Sequence, residues 1–120
     1  MTKEAEYQKE LMRMREIFKN VDPLKAELAE GLIEDAAWIR VQSAELKTLM
    51  VETGMIKIHP DYRQIQKPTE AAKQYMKNVN SYAVIIKTLN GILQKDQLEE
   101  EDDFEKFMKD QLEAHERGLK

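Results

Sequence analysis

Chemistry needs particular residue types at a spacing that lets them meet, and this chain offers few such sets. Its two histidines, His59 and His115, lie far apart in sequence and in different elements. Neither belongs to an HExxH pair or a serine–histidine–aspartate constellation, so each reads as an exposed, unpaired imidazole. Glu34 and Asp35 are adjacent, and adjacent helical residues point in different directions instead of sharing a substrate. The run Glu99-Glu100-Glu101-Asp102-Asp103 lacks the alternating ligands and the glycine of a calcium-binding loop. No GxxxxGK[ST] or GxGxxG motif occurs, and four scattered glycines do not form a phosphate cradle. The absence of cysteine excludes thiol catalysis, disulfide scaffolds and cysteine-based zinc sites. The expectation is a protein that is not an enzyme and uses neither metal nor cofactor.

What the chain does offer is charge, unevenly placed. Charged residues make up 35% of the 120 positions, with a net charge of -4. Residues 1–21 carry five basic and four acidic groups, and residues 22–53 carry three and seven. Residues 54–95 carry seven basic against two acidic, and residues 96–120 carry four against ten. A basic stretch permits nucleic-acid contact, and an acidic tail permits competition for that same surface; a solvated face is the plainer reading of each. No apolar run approaches the roughly 20 residues that span a bilayer, and the charged first 20 residues do not read as a signal peptide. A membrane role is not expected.

The elements that must position these groups are helical. Tyr7, Leu11, Met14, Phe18 and Val21 alternate four and three apart and predict a helix over residues 3–19. Asp22-Pro23 then stops the chain and restarts it, with Asp22 placed to cap and Pro23 suited to the first turn. The second helix is expected to end at Thr53, with Gly54 as terminator. Its inner stripe is Ala29, Leu32, Ala36, Ile39, Ser43, Leu46, Met50 and Thr53. Ile56 and Ile58 alternate with Lys57 and His59, and Tyr62–Gln66 reads as a return strand, which predicts a short hairpin tip. Pro68-Thr69-Glu70 opens the third helix. Its seam, Ala72, Tyr75, Val79, Tyr82, Ile86, Leu89 and Leu93, alternates three and four without a break, as in a coiled coil. Helices of similar length joined by a short tip predict an antiparallel helical hairpin.

The expected organisation is therefore all-α. An N-terminal helix occupies 1–21, a hairpin core 22–96, and an acidic tail with a short amphipathic helix 97–120. Trp38, beside Ile33, Val41 and Leu49, makes a second apolar surface on the second helix. Either the first helix covers it, or other subunits do. The candidate oligomer interface is Ile33, Trp38, Leu49, Tyr75, Tyr82 and Ile86.

Residues 24–93 resemble the core of bacteriophage terminase small subunits. The features that carry the likeness are Glu45-Leu46-Lys47-Thr48-Leu49-Met50-Val51-Glu52-Thr53-Gly54 at the end of the long helix, then a tip, then the run from Ala72 through Tyr75, Asn80-Ser81-Tyr82 and Ile86-Lys87-Thr88-Leu89 to Leu93. Ile33–Arg40 is similar to the family's segment at the start of the first core helix. The resemblance implies a non-catalytic, ring-forming homo-oligomer in the host cell cytoplasm. Such a ring binds double-stranded viral DNA and regulates the large ATPase and nuclease subunit. Phe104, Phe107, Met108 and Leu112 then become a candidate docking stripe for that subunit.

Many members of the family carry a helix-turn-helix before the core, whereas 21 residues here precede Asp22, enough for one helix. DNA contact is accordingly expected from Lys9, Arg13, Arg15 and Lys19 on the first helix. A second group, Lys57, Arg63 and Lys67 with Lys73 and Lys77, lies at and beyond the tip. Both groups would meet mainly phosphates. Competing readings are a coiled-coil adaptor without nucleic acid and a DNA-mimicking inhibitor that uses the acidic tail.

Overall fold

The computed structural model of the chain describes residues 2–118. Helix α1 spans Lys3–Ile17, α2 Pro23–Thr53 and α3 Glu70–Gly118, with strands β1 (Ile56–Ile58) and β2 (Gln66–Pro68) between the last two helices. The expected antiparallel helical hairpin is formed by α2 and α3. The two-stranded ribbon is its tip, and α1 folds back onto α2. The molecule measures 93 × 33 × 19 Å, with a radius of gyration of 23.5 Å. A compact globule of this length has about 14 Å. The difference is surface left uncovered.

The Thr2 hydroxyl starts α1 by accepting the Ala5 N–H at 3.1 Å, with Glu4 and Glu6 suited to the positive helix end. The four-three spacing buries Leu11, Met14, Phe18 and Val21. Contacts of Arg15 with Glu30, Tyr7 with Trp38 and Lys3 with Glu45 show that α1 runs antiparallel to α2. Along α2, Ala29, Ala36 and Ala37 are fully enclosed, and these small side chains let both neighbours approach closely. Ile33, the largest fully buried side chain, forms one core with Leu11, Met14, Phe18 and Leu89.

The start of α2 differs from expectation. Pro23 occupies the first turn, but the Asp22 side chain makes no cap bond. Instead the Asp22 N–H donates to Asp96 Oδ1 of α3 at 3.3 Å. In a capping box a carboxylate at the third helical position takes that N–H. Here that position is Lys25, so a carboxylate from another helix does the work. At the other end, Gly54 has φ 70° and ψ 177°, a region that essentially only glycine occupies.

The return strand lies later than Tyr62–Gln66. His59 Nδ1 accepts the N–H groups of Asp61 and Tyr62, each at 3.1 Å, and the His59 N–H donates to the Ile65 carbonyl at 3.0 Å. These bonds commit Tyr62–Ile65 to the turn, so pairing resumes at Gln66. Pro68 consequently closes β2 opposite Ile56 and does not sit in the first turn of α3. Thr69 caps α3 instead. Its hydroxyl accepts the Ala72 N–H at 3.2 Å and donates to the Gly54 carbonyl at 3.0 Å, while its N–H donates to the Met55 carbonyl at 2.9 Å.

Helix α3 has 49 residues against 31 in α2, about 73 Å against about 46 Å at 1.5 Å per residue. The two are not of similar length, and the tail is not a separate short helix. The acidic block continues α3 because Glu, Lys, Gln, Leu and Met are good helix formers, and neither Gly nor Pro interrupts residues 92–117. Asp102 and Lys106, Glu105 and Lys109, and Glu113 and Arg117 also stand four apart, acid first, the favourable order.

Candidate functional site

The ribbon brings together cations that the sequence left as a list. Lys57 and Lys67 are direct cross-strand partners, flanked by the pairs Ile56–Pro68 and Ile58–Gln66. Directly opposed residues project from the same face of a ribbon, and like charges there repel. Arg63 lies in the connecting turn. Among the described residues, none of these three forms a salt bridge, nor does Lys77, while Lys73 pairs with Glu70 at 3.2 Å.

The first-helix group is different. Arg13 binds Glu10 at 2.9 Å, Arg15 binds Glu30 and Lys19 binds Glu16. The hydrogen bond that Arg13 donates to the Glu10 carboxylate holds its guanidinium above its ordinary pKa, and the one Arg15 donates to Glu30 does the same there. Lys9 alone in this group has no carboxylate partner among the described residues. Of the two candidate groups, the one at and beyond the tip thus keeps more of its cations unbridged among the described residues, Lys57, Arg63, Lys67 and Lys77 against Lys9.

The expected oligomer interface separates into different environments. Ile33 is 1% exposed inside a single chain, in the core shared with α1, so it is not a surface available to other subunits. The first helix covers that part of the second apolar surface. Tyr82 and Ile86 pack partly buried against the same core. Lys47 lies over the Tyr75 ring at 5.8 Å and Arg40 over the Tyr82 ring at 5.9 Å. These pairs border an open groove of about 290 Å³ between α2 and α3, with Ala44 and Val79 in its lining. Trp38, edge-on to Tyr7 at 5.6 Å, stays about half exposed, as does Leu49.

Phe104, Phe107, Met108 and Leu112 are all exposed, between 45% and 64%. They lie on α3 beyond the start of α2, since Asp96 and Glu99 already face Asp22 and Lys25. Because α3 is continuous, this acidic end extends away from the tip and does not fold over the tip's cations. His115 lies on the same exposed stretch.

The roles of three side chains went unread in the sequence. Asp96 had a visible signal: the seam's three-four alternation continued from Leu93 lands on it, and a polar seam residue marks register. Only 6% exposed, it also lies 3.6 Å from Lys25 Nζ. Thr69 was in sight as part of the helix start, but its bond to Gly54 required the fold. His59 is exposed yet paired twice with backbone, and no spacing rule reveals that. Among the described residues, no cluster of three or more metal-ligating side chains forms and no helix is long and apolar enough to cross a membrane. Compared with protein-family models, curated proteins and solved structures, the chain finds no match.

Proposed function

We propose that this chain is a non-catalytic DNA-binding assembly subunit of the terminase small-subunit kind, with the ribbon tip as its contact. The observation that carries this reading is the opposed Lys57–Lys67 pair, with Arg63 in the connecting turn and, among the described residues, no carboxylate bridged to any of the three. Two ammonium groups on one face repel in the free chain, and a phosphate placed near both relieves that repulsion. The major groove of B-DNA admits a two-stranded ribbon, but these strands have only three residues each. Contacts are therefore mainly to phosphates, weak singly and strongly salt-dependent. A ring of copies multiplies them. In this reading the partners are viral DNA and a large ATPase and nuclease subunit in the host cell cytoplasm.

The adaptor reading draws its support from exposed apolar residues such as Leu49, Val51 and Phe104. Fluorescence anisotropy of a labelled duplex, titrated at several salt concentrations, separates the two. The combined change Lys57→Glu, Arg63→Glu, Lys67→Glu should weaken binding at low salt by at least about tenfold and flatten the salt slope by about two to three phosphates. Unchanged affinity removes the tip from the reading. A wild-type chain that ignores DNA at low salt favours the adaptor.

A further inference from the structure

Two uncovered regions of this molecule are complementary and cannot meet within one chain. The first is the end of α3, where Phe104, Phe107, Met108 and Leu112 form an apolar stripe. On a helical projection, Glu105 borders this stripe on one side and Asp103 and Asp110 on the other, Glu100 and Glu101 stand within its arc one turn earlier, and Lys106 and Lys109 fall toward the back. Its partner must therefore be apolar at the centre and cationic at the rims.

The second region supplies the apolar centre and a cationic rim along one side. The groove between α2 and α3 has a floor of Tyr75, Val79, Tyr82 and Ala44, with Arg40 and Lys47 along its α2 side. Lys73, Lys77 and Lys87 of α3 lie on the helix face turned away from Tyr75, Val79 and Tyr82, so the groove's own cations are Arg40 and Lys47. Groove and stripe are centred near residues 79 and 108 of one continuous helix. At 1.5 Å per residue they are about 44 Å apart, too far for self-contact.

We infer that the acidic end of α3 docks into the Arg40–Lys47 groove of a second copy of this chain. The contact supplies the groove with a third helix, as α1 does for the other half of the hairpin. Since every copy carries both a stripe and a groove, the contact closes reciprocally or runs head to tail into a ring. It is independent of the nucleic-acid reading, because Lys57, Arg63 and Lys67 take no part.

The test is complementation between two full-length variants. One blocks the groove (Arg40→Glu with Lys47→Glu), and the other spoils the stripe (Phe104→Asp with Phe107→Asp). Circular dichroism first establishes that each retains its helix, which is expected since all four side chains are at the surface. Sedimentation should show the wild type above 14.1 kDa and each variant alone at that mass. A mixture should form a one-to-one pair through the intact groove of one and the intact stripe of the other, and high salt should weaken it. A monomeric wild type, a single variant that assembles like the wild type, or a mixture that stays monomeric each overturns the inference. So does assembly of the stripe variant coupled with lost binding to an added ATPase subunit, which would assign the stripe to that partner. Loss of DNA binding by the tip variant with assembly intact bears on the proposed function alone.

Discussion

Replacing Asp96 with alanine removes the carboxylate by which α3 holds the start of α2. Three contributions are lost. The bond to the Asp22 N–H resembles a helix cap, worth about 1 kcal/mol, and its 3.3 Å length places it no higher. A negative charge at a helix N-terminus adds about 0.5 kcal/mol. The pair with Lys25, 3.6 Å away, is lost as well, a small contribution because solvent screens it. Removing a charge that is 6% exposed returns part of its desolvation penalty, so the net loss is about 1–1.5 kcal/mol. For a chain of this size that lowers Tm by about 5 °C.

Asp96→Asn keeps an oxygen acceptor and loses the charge, so it should melt between wild type and alanine. Asp96→Leu restores an apolar seam residue worth about 1.5–3 kcal/mol when buried, so it should melt at or above wild type. The assay is thermal unfolding followed by circular dichroism at a concentration where the chain is unassociated. An alanine variant within about 1 °C of wild type would refute the capping argument.

Two further outcomes follow from the same packing. Ile33→Ala should destabilise the single chain by about 2–5 kcal/mol, independently of protein concentration, since the cavity opens within one molecule; a loss that disappears on dilution would return Ile33 to an intermolecular surface. Burial, and then the Glu34 carboxylate, raise the Tyr7 hydroxyl above its ordinary 10.0, and the hydrogen bond that Lys25 donates to Glu99 raises Lys25 above 10.5. In both cases the folded state holds its proton more tightly than the unfolded chain. The stabilisation is complete below pH 10 and is lost as pH rises through the higher folded values. Stability measured by denaturant titration should accordingly fall above pH 10, and Tyr7→Phe should remove part of that fall.

Much of the hairpin was legible because periodicity reports faces directly. The seam from Ala72 to Leu93 and the stripe from Ala29 to Met50 are three-four patterns, and a helix with such a pattern has one burial solution with its neighbour. Gly54 as terminator was equally readable, since few residues tolerate its backbone angles. The tip's existence was legible and its register was not. Backbone N–H groups donated to the His59 ring moved the second strand, and three-residue strands carry too little pattern to resist that.

Composition, absence of cysteine, segregated charge and helix faces were therefore determined by sequence alone, as properties of residues close along the chain. Which cations reach a carboxylate on another helix, which apolar face α1 covers and where α2 is capped were decided only by tertiary structure. Arg15 and Glu30, Tyr7 and Trp38, and Asp22 and Asp96 meet through packing between helices, and their separation along the chain carries no trace of the encounter. Even the length of α3 hid in plain composition: an acidic run that repels as a coil is stable as the continuation of a helix already nucleated and held by α2.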